Sequence, residues 1–275
     1  ELIPPHAFAN MPQLTALDLS DNFLRQLSPH TWHQLPRLRT LNLSRNLLDG
    51  CVEPEAFRGG GGLNNVSSID LSCNLLTNVR NATFASSGLL QHLNLSDNRL
   101  AQIEEGAFYG LGSSLLLLNL DRNRLEFVKK HYFAGLYSLQ TLLLSGNQMS
   151  SVEAGSLDDL ARLETLDLSD NCLFRIDRTP LFRWLASLRV LNLSSNVLKS
   201  SLSLSHVVKL QQLYASGNRV ESVSLHNSSA LIHLDVSGSP LLRQVTVKRK
   251  PDENHQHLLH HLNLNGNRQV QLELQ

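Results

Sequence analysis

The chain has 275 residues, with 24 Lys+Arg against 24 Asp+Glu for a formal net charge of zero, and only 5% aromatic residues. Its length allows one or two hydrophobic cores, and the charge balance argues against nucleic acid held by bulk positive charge. No apolar run reaches the roughly 18 residues of a membrane helix; the best candidate, LLLLNL at 115–120, is interrupted by Asn119.

The chain opens ELIPPHAFANMPQL, without an initiator Met or a charged-then-apolar leader. It closes LNLNGNRQVQLELQ, and both ends read as uncapped cuts through a longer pattern, so any membrane attachment is expected from segments absent here. From Leu14 onward the pattern L-x-x-L-x-L-x-x-N-x-L recurs, with first positions Leu14, Leu38, Val66, Leu90, Leu115, Leu139, Leu163, Leu188, Leu210, Leu231 and Leu259. Successive spacings are 24, 28, 24, 25, 24, 24, 25, 22, 21 and 28 residues, so 1–275 is expected to be a single array of about eleven repeats.

The x-L-x-L-x portion alternates with the period of a strand that has one buried face. One such strand per repeat predicts a parallel sheet. Where the chain turns back, backbone groups lose their ladder partners and need others. Asn carries both donors and an acceptor, and Asn22, Asn46, Asn74, Asn98, Asn123, Asn147, Asn171, Asn196, Asn218 and Asn267 recur there, so they are predicted to form an internal amide ladder. The tenth repeat breaks it with Ser239. The returning half carries Phe8, Trp32, Phe57, Phe84, Phe108, Phe133, Leu157 and Leu181 or Phe182 as a second buried series. A bulkier outer half predicts a curved, horseshoe-like solenoid, with the sheet on its concave face and loops or short helical turns on its convex face.

The repeat signature resembles the leucine-rich repeat superfamily over the whole chain. The 24-residue length and the A-F-x-x-L tails, as in GAFYGL and HYFAGL, are similar to the typical extracellular subfamily of Toll-like receptor, Slit and chaoptin-like ectodomains. This resemblance implies a secreted or cell-surface module that binds a protein ligand or co-receptor, with homodimerisation as a further mode. A second reading is the regulatory repeat region of an intracellular phosphatase or cyclase, which the shortened, Phe-less late repeats suit.

Departures from the pattern are local. FRGGGGLNN at 57–65 suits a flexible bulge and lacks the Lys-Ser/Thr of a phosphate loop. Residues 199–230 lose the Phe and read as drift in the repeat. VKRKPDENHQHLLHH at 247–261 reads as a solvated loop, and His255, His257, His260 and His261 do not form a metal-ligand motif. No nucleophile elbow, HExxH or P-loop occurs, so neither catalysis nor a cofactor is expected. Cys51, Cys73 and Cys172 are too scattered for a disulfide framework.

Recognition is expected on exposed strand positions. Between the two strand leucines stand Asp18, Asn42, Asp70, Asn94, Asn119, Leu143, Asp167, Asn192, Tyr214, Asp235 and Asn263, a polar strip from which Leu143 and Tyr214 deviate. Leu117 and Leu143, with Arg99, Arg122 and Arg124 nearby in sequence, have the composition of a protein contact, and Tyr214 joins them as a candidate ligand-binding residue. Six N-x-S/T sequons at Asn42, Asn65, Asn81, Asn94, Asn192 and Asn227 are candidate glycosylation sites.

Overall fold

The computed structural model describes residues 2–4, 7–8, 10–28, 31–32, 35–52, 54–57, 63–176, 181–248 and 259–274. It comprises two compact units, Glu1–Leu125 with His131–Leu142, and Glu126–Lys130 with Leu143–Gln275.

In the first unit the strands Ala16–Asp18, Thr40–Asn42, Ser68–Asp70, His92–Asn94 and Leu117–Asn119 pair in parallel. Their register is strict, so Leu17, Leu41, Ile69, Leu93 and Leu118 form one column. The second unit repeats the scheme with Thr165–Asp167, Val190–Asn192, Gln212–Tyr214, His233–Asp235 and His261–Asn263. A further three-residue strand, Thr141–Leu143, lies where the two units divide. Each coil is thus a parallel β-solenoid turn whose middle leucine points into the core.

The chain leaves each strand through a residue in left-handed conformation, immediately before the recurring amide. Asp21, Arg45, Cys73, Asp97, Arg122, Asp170 and Ser195 have φ between 50° and 55° there. Gly146, Gly217, Gly238 and Gly266 fill the same place in other coils. An L-residue in this region costs roughly 1–2 kcal/mol, so something must hold the turn closed.

The amides do so. Asn98 Nδ2 donates to Leu71 O of the preceding coil (2.9 Å) and to Leu95 O of its own (3.1 Å), while its Oδ1 accepts the Leu76 N–H (3.0 Å). Asn46, Asn74, Asn123, Asn171, Asn196 and Asn218 repeat the scheme. Asn147 donates to Leu144 O (3.0 Å). Asn267 accepts the Ser239 N–H (2.8 Å) and donates to Val236 O (3.1 Å). Asn22 is exposed and bonds carbonyls of its own turn. Ser239 is fully buried, and its hydroxyl has no partner among the described residues.

On the other side of the core Trp32, Phe57, Phe84, Phe108, Phe133, Leu157, Leu181 and Phe182 are all buried. Phe57 and Phe84 touch ring to ring, with centroids 5.2 Å apart. The far side carries the expected turns, as at 81–86, 105–110, 130–135 and 154–159, and adds short strands beside them. One four-residue helix, Pro54–Phe57, is present among the described residues. Asp49–Val52, Leu75–Val79 and Gln102–Ile103 form one parallel sheet, bulged between Gly50 and Cys51. Phe127–Val128 pairs with Ser151–Val152.

The longest far-side sheet, Lys199–Ser203, Arg219–His226, Gln244–Lys248 and Gln271–Leu274, occupies the segment read from sequence as drift. An extended strand covers about 3.3 Å per residue. It therefore spans the outer arc with fewer residues than a turn, which accounts for the 22- and 21-residue spacings. Val223, Leu225, Val245 and Val247 point inward and replace the missing Phe. All three cysteines are thiols, with Cys73 and Cys172 exposed.

Replacing Asn98 by Leu should lower the unfolding free energy by about 1–3 kcal/mol, because buried backbone groups lose partners that nothing replaces. Asn22→Leu, at an exposed turn, should cost well under about 1 kcal/mol by the same argument. Urea unfolding midpoints at unchanged slope read both.

Candidate functional site

The strand face opposite the core consists of two columns of half-buried and exposed side chains. In the column between the leucines, Asp18, Asn42, Asp70, Asn94, Asn119, Asp167, Asn192, Asp235 and Asn263 each accept, through Oδ1, the N–H two residues ahead, at 2.8–3.1 Å. This strip is therefore a second structural ladder of Asx turns, not a plain polar surface.

Charge explains why no two Asp adjoin in it. Strict register places each carboxylate beside the same position of the next coil, where a second carboxylate would repel it. Asn supplies a donor instead: Asn94 Nδ2 to Asp70, Asn192 to Asp167 and Asn263 to Asp235, each 3.2 Å. The hydroxyl and N–H of Ser20, helped by Asn42, hold the Asp18 carboxyl below its ordinary pKa. Burial pushes Asp235 upward, but hydrogen bonds from Ser237 and Asn263 outweigh it and the net shift is down.

Leu143 and Tyr214 cannot make this turn contact. Leu117 is half-buried on its strand in the first unit, and Leu143 is half-buried in the second. Arg122 is not a free rim cation. It stands in the left-handed turn and clamps Asp97 with Nε (2.6 Å) and Nη2 (2.7 Å), which lowers the Asp97 pKa and raises that of Arg122. Arg99 and Arg124 are exposed one residue beyond their ladder amides, past the end of the strand face.

Among the sequons, the turn contacts use the oxygens of Asn42, Asn94 and Asn192. The amides of Asn65 and Asn81 donate to Pro36 O and Glu105 O, both at 2.7 Å. Asn227 follows the strand Arg219–His226 in a left-handed turn with φ 59°.

The sequence reading singled out Tyr214 at the end of this face but not the two histidines beside it. Tyr214 packs on His233 with centroids 4.6 Å apart, and His233 stacks on His261 at 4.4 Å and 9°. Tyr214 donates its hydroxyl to Gln212 Oε1 (3.1 Å). The available signal was two histidines at the same strand position in consecutive repeats. His255 and His257 lie outside the described residues, and among those described no three metal-ligating side chains converge. A cavity of about 530 Å³ also opens in the first unit, between Arg25–Leu27 and the bulged strand at Asp49–Cys51.

A family model described as Leucine rich repeat matches residues 1–48, 64–117 and 113–173. The chain is 47% identical over 55 residues to human "Leucine-rich repeats and immunoglobulin-like domains protein 1" and 41% identical over 58 residues to human protein 2 of that name. These stretches are 20% and 21% of this chain and only 5% of each relative. Among solved structures it is similar to TLR13 in a TLR13–ssRNA13 complex, at 24% identity and TM-score 0.79, covering 97% of this chain and 42% of that one. It is also similar to a chain of the Toll–Spatzle complex of Drosophila, at 23% identity and TM-score 0.82, covering 98% and 37%. Likeness at this identity supports the solenoid fold alone.

Asn94→Asp should place two carboxylates in contact and cost about 0.5–1 kcal/mol at neutral pH. Protonation of the pair removes the repulsion, so the difference in melting temperature from the unsubstituted chain should be present at pH 7 and vanish below about pH 4.

Proposed function

Because the chain belongs to the leucine-rich repeat family, we propose that it is a non-catalytic binding module of a cell-surface or secreted receptor or adhesion protein, taking a protein ligand or co-receptor on its strand face. The observation that carries this reading is the contrast within that face. Nine of the eleven positions between the strand leucines are committed to Asx turns, and the two exceptions are Leu143 and Tyr214; in the neighbouring column Leu117 in the first unit and His233 and His261 in the second add further apolar and aromatic area. Aromatic anchors on a rigid frame are what protein contacts are built from. Arg99 and Arg124 supply cations at the strand end, and Arg122 contributes through its clamp on Asp97. The sequons at Asn42, Asn65, Asn81, Asn94, Asn192 and Asn227 accord with an extracellular address.

Balanced net charge does not exclude nucleic acid as a partner. A chain of similar fold is the TLR13 of an ssRNA complex, so that expectation from composition is withdrawn. Protein remains the favoured class, because the deviating positions on the face add aromatic and apolar area rather than cations.

The exposed thiols Cys73 and Cys172 favour the second reading, a regulatory repeat region in a reducing compartment. Material from the native source decides between them. An N-glycosidase mass shift is expected, whereas unshifted protein with alkylatable thiols would establish the intracellular reading. For the surface itself, a photo-crosslinking residue at Gln212 of the intact protein should trap a protein partner, and one at Ser222 on the far side should not. Adducts only at Ser222, or adducts that nuclease rather than protease removes, would overturn the assignment.

A further inference from the structure

The aromatic column on the strand face of the second unit contains two imidazoles in direct contact. His233 and His261 occupy paired positions of adjacent strands, so register fixes them face to face, 4.4 Å apart and within 9° of parallel. Tyr214 covers the other side of His233 and is itself tied to Gln212. His233 Nε2 is covered and has no hydrogen-bond partner among the described residues. A protonated ring would bury a charged N–H there, and such a group costs far more uncompensated than a neutral one.

The surrounding charges do not offset this. From its own strand His233 is faced by Asp235, whose carboxylate is already engaged by Ser237 and Asn263. The last strand contributes His261 and the uncharged Asn263, with His260 exposed just before it, and the preceding strand contributes Gln212 and Tyr214. Beneath them Leu213 and Leu234 are buried and Leu262 is half-buried. Burial and the neighbouring His261 lower the His233 pKa, against a smaller opposing pull from Asp235.

We propose that His233 and His261 form a proton-operated catch on the strand face: the two rings stack while His233 is neutral, and a proton forced onto His233 in mildly acidic solution unseats the stack and loosens the last strands. As regulation of a contact surface this rests on the binding reading above, but the catch itself can be read with no partner present. The sign follows from linkage. A histidine held below its ordinary pKa stabilises the fold above that ordinary value, near 6.5, and the contribution is lost as pH falls through the folded-state value. A repeat stack transmits the loss only to neighbouring coils.

Hydrogen exchange on the intact protein tests it. The His261 N–H bonds Ile232 O (3.1 Å) and the Val236 N–H bonds Asn263 O (3.1 Å), so both report the junction of the last two strands. Corrected for intrinsic rate, their protection should fall about threefold or more between about pH 7.5 and about pH 5, because opening of these strands then takes up a proton that the stacked ring refuses. Leu168 N–H, bonded to Asn192 O (2.9 Å) coils away, should hold its protection. The double variant His233→Phe/His261→Phe keeps flat rings without the proton and should lose the pH response. The single variant His261→Gln, at an exposed position, should weaken it if the double variant fails to fold. Unchanged protection in the unsubstituted protein at pH 5, or an equal loss in the variants, overturns the proposal. Failure to find a partner at Gln212 would leave this exchange result standing, so the two readings fail separately.

Discussion

Each strand-end carbonyl of the solenoid is asked to close two turns at once. Leu43 O accepts from Asn46 of its own coil (3.1 Å) and from Asn74 of the next (3.0 Å). Leu71, Leu95, Leu168 and Leu193 do the same for later pairs. Both lone pairs of a buried carbonyl are thus used, and each amide still has its oxygen free for an N–H of the preceding coil. Only a side chain with two donors and an acceptor on a short stem meets that demand. Asp would face the carbonyls with its own oxygens, and Ser has too few groups. Ser239 illustrates the second case, since its buried hydroxyl finds no partner among the described residues. The left-handed turn residues, strained in most coils, are tolerable because these amides hold the chain on both sides of them.

Strict register has a second consequence. Any residue type repeated at one position meets its own kind along the stack. Charges must then alternate or vanish, and both solutions occur. In the strand-face column no two Asp adjoin, and the turn column sets Asp21 beside Arg45 (3.6 Å) and Asp97 beside Arg122 (2.6 Å). Exposed ion pairs of this kind contribute little stability singly. Their role is compatibility, since a column of like charges would oppose stacking at every step. A polar strip that looks free to vary is therefore constrained, and the freedom left for recognition is confined to a few positions.

What was legible in the sequence follows from the same physics. The amide positions, the buried leucine columns and the aromatic spine are imposed on every coil, so each repeat restates them. Parallel stacking followed from the period alone. The far-side strands were less visible, because RVESVSLH and QVTVK alternate at period two only within single repeats and conform to no shared pattern. The clamp on Asp97 could not be read either. Sequence puts Arg122 near Leu117, but the left-handed turn carries its side chain to another column. The histidine stack was written in the chain at 233 and 261, 28 residues apart, yet it acquires meaning only once the register of the two strands is known.

That dependence on register also locates function. In an ordinary sheet a pair of surface histidines has many ways to avoid contact. Here the two coils that carry the pair are held by Asx turns at Asp235 and Asn263 and by the Asn267 amide between them, and side chains at paired positions cannot separate by sliding. A proton arriving at one imidazole acts directly on the other, and the strain returns to the strands that carry them. The rigidity that makes the repeats uniform thus makes any departure from uniformity chemically coupled to its neighbours. The same coupling turns Tyr214, which cannot form the turn contact made by Asp235 beside it, into one end of an aromatic column rather than an isolated surface residue.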